Sequence, residues 1–570
     1  MPKNKISFFL AFSLLLFILS CKNNTKEIYD IHKTGTAENA MVVAPHPLAT
    51  QVGLDVLKDG GTAVDAMVAV QLAIAVVYPR AGNIGGGGFL VVRQKDGSVA
   101  SLDFREKAPA KADKDMYLDK EGNVIPRLST YGHLACGIPG TVDGLFAEHE
   151  KYGKLDFKRL IQPAIDFAEN GYRITAREAK RFNKFQKDFR EFNNPSCVFL
   201  KENWVAGDLL VQKELAHTLR LIRDKGRAGF YEGETADKII AEVGTGKGIF
   251  TKQDLVNYKA KWRAPITATY KNYKLISMPP PSSGGVALAQ LLGICEKYSL
   301  EKMEAGSTEA VHLMVEAERR VYADRATFLG DVDFYPVPID SLLNKQYIVS
   351  LMNNYSPDTA TLSSSIKPGS FSIGMESFET THISIVDSDG NAAAVTTTLN
   401  SNFGSKVIVD GAGFFLNNEM DDFSAKPGVP NQFGLVGNEA NAIQPNKRML
   451  SSMTPTIFEK DGKLFMVLGS PGGSTIITGV FQVFMNVAAF DMSIEDAVNT
   501  KRFHHQWLPD VVMYEPGALN DKTMKELKAK GHKLKEVTRM AVVKAIHVSD
   551  DGILHGAGDP RNPDDDVKGY

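Results

Sequence analysis

The alternation of apolar and polar positions along the chain predicts helices and short strands that pack into one body. Residues 42–44 are apolar and predict a short strand. Pro47–Lys58 has helical spacing with proline in the first turn, and Gly60-Gly61 is typical of a helix end. Thr62 caps a second helix that extends to Val77. Because that helix is apolar on nearly all faces, we expect it to be buried.

A glycine run at residues 85–88 precedes an apolar stretch at residues 89–92. The run lacks the Gly-Lys-Ser/Thr of a phosphate-binding loop, and it lacks the spacing and preceding strand of a dinucleotide-binding loop. We therefore interpret it as a place where a helix and a strand pack closely together.

The middle of the chain is helical and polar between about residues 150 and 270, and we interpret the charged clusters at residues 177–190 as solvated faces. Residues 279–285, three prolines followed by Ser-Ser-Gly-Gly, predict a turn into a helix that begins near Val286. Residues 356–377 are rich in serine and poor in large apolar residues, which predicts an exposed segment where the chain can be cut.

A hairpin is predicted directly after that segment. Residues 381–386 form a β-rich run, residues 387–391 carry an Asp-Gly turn signal, and residues 392–399 alternate into a second strand. The first strand of the hairpin thus starts at Thr380, just downstream of a segment that can be cut.

The first residues have the pattern of an export signal. Lys3 and Lys5 precede an apolar run at residues 6–19, which is shorter than the roughly 20 residues of a membrane span. We expect residues 1–20 to be a signal peptide. Cys21 follows Leu19-Ser20 as in a bacterial lipobox, which predicts an exported, periplasmic lipoprotein anchored through this cysteine. Ordinary secretion is the alternative.

Charge and cysteine content argue against several classes of protein. The chain has 65 basic and 67 acidic residues and a net charge of −2. It therefore lacks the excess positive charge that attracts nucleic-acid-binding proteins to the phosphate backbone. Only four cysteines are present, and the three beyond Cys21 have no C-x-x-C spacing. We therefore predict neither a disulfide framework nor a zinc site, and we interpret these cysteines as buried free thiols.

Thr380 has the position of an N-terminal nucleophile. Cleavage before it would place a hydroxyl and an α-amine, with a pKa of roughly 7.7–8.0, on one residue. A threonine activated by its own amine is a known form of covalent catalysis. By itself this residue could equally be a β-branched residue that opens a strand.

A set of motifs in the right order makes the chain resemble the γ-glutamyltranspeptidases, the bacterial members especially. They are residues 102–106 (LDFRE), 137–140 (GIPG), 380–382 (TTH), 396–400 (TTTLN), 417–422 (NNEMDD), 445–448 (PNKR), 451–456 (SSMTPT) and 469–474 (GSPGGS). The resemblance covers the chain from about residue 40 to its end.

The resemblance implies a precursor that cleaves itself between Glu379 and Thr380. The large subunit is then residues 21–379 and the small catalytic subunit residues 380–570, joined as a heterodimer. The implied fold is the α+β N-terminal nucleophile hydrolase sandwich, with four layers (αββα) to which both subunits contribute. The implied reaction transfers the γ-glutamyl group of glutathione and similar compounds, through an acyl-enzyme on Thr380, to water or to amino acids and peptides.

The resemblance also implies the roles of ten residues. The catalytic group is Thr380, Thr398, Gly472 and Gly473, with the two glycines as oxyanion donors. The substrate-binding group is Arg105, Ser451 and Ser452 for the α-carboxylate, and Asn400, Glu419 and Asp422 for the α-ammonium. No metal or cofactor is expected.

Several of these residues also have structural alternatives. Arg105 would pair with Glu106 on the surface, Thr398 would pack within a strand, and Asp422 would belong to a solvated acidic turn.

Residues 424–446 are predicted to be a lid over the pocket. Phe433 stands where several bacterial members have a tyrosine, so lid closure is expected to differ. His504 and His505 have no third ligand in spacing, and we interpret them as structural.

Three other functions stay open as alternatives. A cephalosporin or glutaryl acylase has the same fold, but it accepts an acyl chain that lacks an α-amino group. A poly-γ-glutamate depolymerase is disfavoured because the full lid segment would obstruct a polymer. From another class, the chain could be an uncleaved lipoprotein that binds γ-glutamyl peptides.

Overall fold

Most strands of the protein lie in two large antiparallel sheets. The computed structural model describes residues 28–366, 380–426, 429, 431–432, 435 and 437–570, of which residues 31–570 form one unit. The strands are β1 (Thr34–Ala37), β2 (Met41–Ala44), β3 (Gly87–Arg93), β4 (Val99–Asp103), β5 (Tyr172–Arg173), β6 (Leu209–Leu210), β7 (Lys261–Arg263), β8 (Ile266–Tyr270), β9 (Tyr273–Ser277), β10 (Thr381–Val386), β11 (Ala392–Thr398), β12 (Thr456–Lys460), β13 (Lys463–Gly469), β14 (Phe503–His504), β15 (Val512–Tyr514), β16 (Leu534–Glu536), β17 (Lys544–Val548), β18 (Leu554–Ala557) and β19 (Asp566–Gly569).

Each large sheet has seven strands and takes strands from both sides of Thr380. The first sheet has the order β1-β18-β17-β13-β12-β9-β8, and the second has the order β19-β2-β10-β11-β3-β4-β7. β10 and β11 pack against β13 of the facing sheet. The two predicted subunits therefore share both sheets, as the resemblance implied.

Helices cover the outer face of each sheet, which gives the predicted four layers. Pro47–Lys58 and Ala63–Val77 pack on the second sheet, and Gly284–Tyr298 and Thr475–Ala488 pack on the first. The other α-helices are Thr141–Tyr152, Phe157–Asn170, Ala176–Lys184, Gln186–Phe192, Lys213–Lys225, Ala228–Tyr231, Gly233–Thr245, Lys252–Asn257, Thr308–Phe328, Ile339–Leu342, Lys345–Ser350, Ile494–Asn499 and Asp521–Ala529.

β10 shows how the alternation of side chains builds the interior of this sandwich. Ile383 and Ile385 point into the apolar core under the helices of the second sheet. His382 and Ser384 point the other way, between the sheets, where Ser384 donates a hydrogen bond to the Lys544 carbonyl (3.3 Å). All six residues of the strand are buried because layers lie on both sides of it.

The local predictions hold with small shifts. Pro47–Lys58 and the helix capped by Thr62 are confirmed, the latter with a capping box to Asp65. The predicted hairpin is β10 paired with β11, although the first strand begins at Thr381 rather than Thr380. The helix expected near Val286 begins at Gly284.

The glycine run does pack closely, but chiefly against strand and loop backbone. A Cβ on Gly86 would lie 2.1 Å from the Thr398 carbonyl, and one on Gly85 would lie 2.2 Å from the Phe415 carbonyl. The first residue of the helix Thr141–Tyr152 also contacts the glycine run, since the Thr141 N–H donates to the Gly86 carbonyl (3.0 Å). The expectation of helix-on-strand packing is thus only partly right.

Other expectations concern the cysteines and the chain start. Cys136 and Cys295 are buried free thiols as predicted, whereas Cys197 is partly exposed. The predicted signal peptide, Cys21 and residues 367–379 lie outside the described residues. In the part of the chain that the structure covers, no helix combines the length and apolar character of a membrane span.

Candidate functional site

Thr380 lies at one end of the central strands of the second sheet, where β10 begins and β11 ends. It directly precedes β10, between β2 and β11, and it is buried, with 6% of its surface exposed. β11 ends nearby at Thr398, because Thr381 pairs with Thr397. The backbone of two central strands therefore holds the predicted nucleophile in place.

A cavity opens at Thr380. All the residues predicted for the site line it except Gly472. The full lining is Arg105, Arg325, Thr380, Thr398, Asn400, Glu419, Asp422, Phe423, Ser424, Asn431, Leu435, Gly437, Asn441, Leu450, Ser451, Ser452, Met453, Gly473 and Ile476.

The glycine pair forms the loop between β13 and the helix Thr475–Ala488. Gly473 lines the cavity, whereas Gly472, the residue before it, does not. Their φ angles are 143° for Gly472 and 55° for Gly473, a region that favours glycine. A Cβ on Gly472 would lie 2.8 Å from Thr475 Oγ1. Gly473 thus shares the cavity with Thr380, which is where an oxyanion donor is needed.

Arg105 forms a buried ion cluster in the wall of the cavity. It donates to Glu419 Oε2 (2.7 Å) and to Asp422 Oδ2 (2.5 Å), and it is 1% exposed. Its backbone is fixed because the Tyr258 hydroxyl donates to the Arg105 carbonyl (2.8 Å). Arg105 also approaches Glu106 (3.5 Å), but the pair is buried. The alternatives of a surface ion pair for Arg105 and a solvated turn for Asp422 are therefore wrong.

Burial governs the ionisation of this cluster. Burial raises the pKa of Glu419 well above its usual range, while Arg105 opposes the shift. Burial also raises the pKa of Asp422 and of Glu106. For Arg105, burial alone would lower the pKa, but Glu419 and Asp422 raise it overall. Glu419 Oε1 is buried and has no hydrogen-bond partner among the described residues, so it can accept from a ligand.

The two serines lie between the cavity and the turn at residues 279–285. Ser451 Oγ accepts the Met453 N–H (3.1 Å), and Ser452 Oγ accepts from Arg325 Nη2 (2.9 Å). Arg325 Nε also donates to Ser283 Oγ (2.9 Å). Because both serine oxygens act as acceptors, each hydroxyl proton can be donated to an anion in the cavity.

Arg325 is a site residue that the sequence analysis missed. It lies in the helix Thr308–Phe328 among other charged residues, and that pattern gives no sign of a ligand site. The structure buries it and directs it at Ser452.

Thr398 and Asn400 form the third wall of the cavity. Thr398 Oγ1 accepts the Asn400 N–H (2.7 Å), which stabilises Asn400 at a φ of 72°. The Asn400 side chain donates to the Asn418 carbonyl (3.0 Å). Its amide oxygen can still act as an acceptor, and Asn400 lines the cavity.

The predicted lid contributes five described residues to the lining of the cavity: Ser424, Asn431, Leu435, Gly437 and Asn441. Phe433 lies outside the described residues, so its effect on closure stays a prediction.

One group among the described residues has the spacing of a metal site, namely His312, Glu316 and His532. It does not line the cavity at Thr380. His312 Nδ1 and His532 Nε2 lie 2.7 Å apart as a hydrogen-bonded pair, and Glu316 forms an ion pair with Arg320 (2.7 Å). His504, by contrast, is hydrogen-bonded to Thr478 (2.9 Å) in the interior, as its structural interpretation requires.

The cavity is matched to a short zwitterion attached to an acyl group. Arg105, Ser451 and Ser452 can donate to an anion, whereas Glu419, Asp422 and Asn400 can accept from a cation. Thr380 and Gly473 line the same cavity. This arrangement supports acyl transfer through a covalent threonine ester.

Comparison with known proteins gives a consistent result. The family model described as gamma-glutamyltranspeptidase matches residues 49–568. The chain is 46% identical over 544 residues to the glutathione hydrolase proenzyme of Escherichia coli (strain K12), which covers 95% of this chain and 93% of that protein.

Two solved structures extend the comparison. The gamma-glutamyltranspeptidase of Helicobacter pylori is 46% identical with a TM-score of 0.56, over 60% of this chain and 97% of that chain. The cephalosporin acylase of Bacillus halodurans is 26% identical with a TM-score of 0.84, over 96% of this chain and 99% of that chain.

The buried ion cluster generates a stability prediction. Replacing Arg105 with Ala leaves Glu419 and Asp422 buried without their cation, so we expect the free energy of unfolding to fall by about 3–5 kcal/mol. Arg105→Lys keeps the charge and should lose less. Urea unfolding followed by tryptophan fluorescence measures both variants. An Arg105→Ala protein as stable as the wild type would show that the cluster is not a net constraint on the fold.

Proposed function

The chain belongs to the γ-glutamyltranspeptidase family and has the glutathione hydrolase activity of that family, and on this premise we propose that Thr380 is its nucleophile. One observation carries the assignment. Thr380 lies in the same cavity as the cluster of Arg105, Glu419 and Asp422, so an acyl carbon and a zwitterionic head can be held together.

We propose that maturation cuts the bond between Glu379 and Thr380. The result is a large subunit of residues 21–379 and a small subunit of residues 380–570. Because both sheets contain strands from either side of the cut, the two chains stay joined through the sheets after cleavage. The new amine then lies on the residue that carries the hydroxyl, where it serves as general base.

In the acylation step, the amine takes the proton of Thr380 Oγ as this oxygen attacks the γ-carbonyl carbon. The carbonyl oxygen gains negative charge, and the N–H groups of Gly472 and Gly473 stabilise it. The C–N bond of the donor then breaks, and the leaving amine takes the proton. Water or the amine of an amino acid or peptide later attacks the ester and releases Thr380.

Substrate recognition follows from an exchange of ion-pair partners. In the free enzyme Arg105 is satisfied by Glu419 and Asp422. A γ-glutamyl head brings a carboxylate to Arg105, Ser451 and Ser452, and it brings an ammonium to Glu419, Asp422 and Asn400. Every buried charge keeps an opposite partner, which avoids the cost of an unpaired ion.

Replacing Thr380 with Ala removes the hydroxyl needed for cleavage and for turnover. We expect a single chain of 62.3 kDa, less any signal peptide removed, and no hydrolysis of a γ-glutamyl anilide. Thr380→Ser keeps a hydroxyl and an amine, so it should still cleave and react. Gel electrophoresis, N-terminal sequencing and a chromogenic assay measure these outcomes. An active Thr380→Ala protein, or a small chain that begins elsewhere, would refute the assignment.

A second prediction separates this function from the acylase alternative. γ-Glutamyl and glutaryl anilides differ only in the α-ammonium group, which Glu419 and Asp422 are proposed to bind. Loss of such a buried charge partner costs about 2–5 kcal/mol, so we expect kcat/KM to be at least about 30-fold lower for the glutaryl compound. Glu419→Ala should narrow the gap. Equal rates for both donors would instead favour a glutaryl acylase.

We also propose that the protein is exported and anchored in the periplasm through a lipid on Cys21. The support is the sequence of residues 1–21, where a basic start and an apolar run precede Leu19-Ser20-Cys21.

Cys21→Ser removes the thiol that would carry the lipid. We expect the variant to move from the membrane pellet to the soluble fraction, while its γ-glutamyl hydrolysis is retained because Cys21 has no part in the chemistry. Intact mass of the mature wild-type large subunit provides the control for lipidation. Continued sedimentation of the variant with membranes would point to another anchor.

A further inference from the structure

The turn at residues 279–285, which the sequence analysis predicted, holds the segment that carries the two serines of the site. The Ser451 N–H donates to the Pro281 carbonyl (2.8 Å), and the Ser283 N–H donates to the Ser451 carbonyl (2.8 Å). Ser283 Oγ donates to the same Ser451 carbonyl (2.8 Å). The turn precedes the proposed cut and the serines follow it, so this wall of the cavity is assembled from both predicted subunits.

The Arg325 guanidinium joins this turn to the second serine. Its Nε donates to Ser283 Oγ (2.9 Å), and its Nη2 donates to Ser452 Oγ (2.9 Å). Arg325 is buried, with 4% of its surface exposed, and it lines the cavity. Two directional bonds from one planar group therefore connect Ser452 Oγ to the turn.

The bond from Arg325 determines what Ser452 can offer to a ligand. A hydroxyl has one proton and two lone pairs, and Arg325 Nη2 uses a lone pair of Ser452 Oγ. Within the described part of the chain, the Ser452 hydroxyl proton has no acceptor, although Ser452 lines the cavity. A bond from a cation also polarises the hydroxyl, which makes its proton a stronger donor. Ser452 can therefore donate to an anion in the cavity.

The charge of Arg325 also acts on this part of the cavity. Burial raises the pKa of Asp422, and the charges of Arg105 and Arg325 oppose that shift. Arg325 therefore lies within electrostatic range of the ion cluster around Arg105. Because Arg105 already pairs with Glu419 and Asp422, a carboxylate that binds at Ser452 gains the field of a second guanidinium.

We propose that Arg325 is a positioning residue for donor recognition, which holds Ser452 so that its hydroxyl donates to the α-carboxylate of the γ-glutamyl group. This inference rests on the proposed function, which brings that carboxylate to Arg105 and the two serines. Arg325 acts on binding through Ser452, and it has no part in the attack of Thr380 on the γ-carbonyl. We therefore expect its loss to raise KM much more than it lowers kcat.

A double-mutant cycle tests whether Arg325 acts through Ser452. Arg325→Gln, Ser452→Ala and the combined variant are compared with the wild type in hydrolysis of a γ-glutamyl anilide, per amount of matured small subunit. With Ser452 present, we expect Arg325→Gln to lower kcat/KM about tenfold or more, the range for a hydrogen bond that involves a charged group. With Ser452→Ala, we expect the same replacement to lower kcat/KM less than about threefold, because residues that share one contact are not additive.

A pair of inhibitors tests whether the group recognised is the α-carboxylate. L-Glutamate and 4-aminobutyrate differ only in that carboxylate. In Arg325→Gln we expect the inhibition constant of L-glutamate to rise about tenfold, and that of 4-aminobutyrate to change less than about twofold. A replacement that merely loosened the fold would weaken both inhibitors alike.

Two further variants make the result specific. Arg325→Lys keeps the charge but lacks the planar fork, so it should recover part of the loss. Arg190→Gln makes the same chemical replacement at an exposed position in the helix Gln186–Phe192, and it should leave kcat/KM unchanged. Should Arg325→Gln fail to mature, the cycle is run with Arg325→Lys, for which we expect a loss of about threefold or more that disappears with Ser452→Ala.

An equal loss with and without Ser452, or no loss in either background, would overturn the inference. Equal weakening of the two inhibitors would overturn it as well. In each of these cases anilide hydrolysis by the wild type still supports the proposed function, whereas a wild type that does not hydrolyse the anilide refutes that function itself. The two failures are thus distinguishable.

Discussion

A cation buried between two carboxylates is the constraint on which the site depends. Arg105 is almost fully buried, and Glu419 and Asp422 hold it at 2.7 and 2.5 Å. Charges placed this deep must keep opposite partners, or the fold loses several kcal/mol, roughly 3–5 by analogy with other buried pairs. A zwitterionic head can enter because it supplies both partners at once. The need of buried charges for opposite partners therefore governs both the stability of the fold without substrate and the choice of substrate.

The sandwich explains how a chain can be cut at its active site and remain folded. β10 starts one residue after Thr380 and is hydrogen-bonded to β2 on one side and β11 on the other. Since each sheet contains strands from both sides of the proposed cut, backbone hydrogen bonds and two apolar cores hold the halves together. The glycine loop and the wall at Asn400 are positioned by the ends of β13 and β11, so the groups around Thr380 rest on rigid elements.

Elements whose causes are local, and the family, could be predicted from the amino-acid sequence alone. The helix Pro47–Lys58, the capping box at Thr62 and the hairpin of β10 and β11 follow from spacing, caps and turn residues within a few positions. The site residues came from motifs, and all but Gly472 line one cavity. The contact of Arg105 with Asp422, 317 positions away, and the hydrogen bond from Arg325 to Ser452 appear only in the folded chain. The folded chain also shows that Arg177 and Arg181 are only partly exposed, whereas we expected a solvated face. Such contacts depend on sheet register and layer packing, which bring distant segments together and leave no periodic signal in either segment alone.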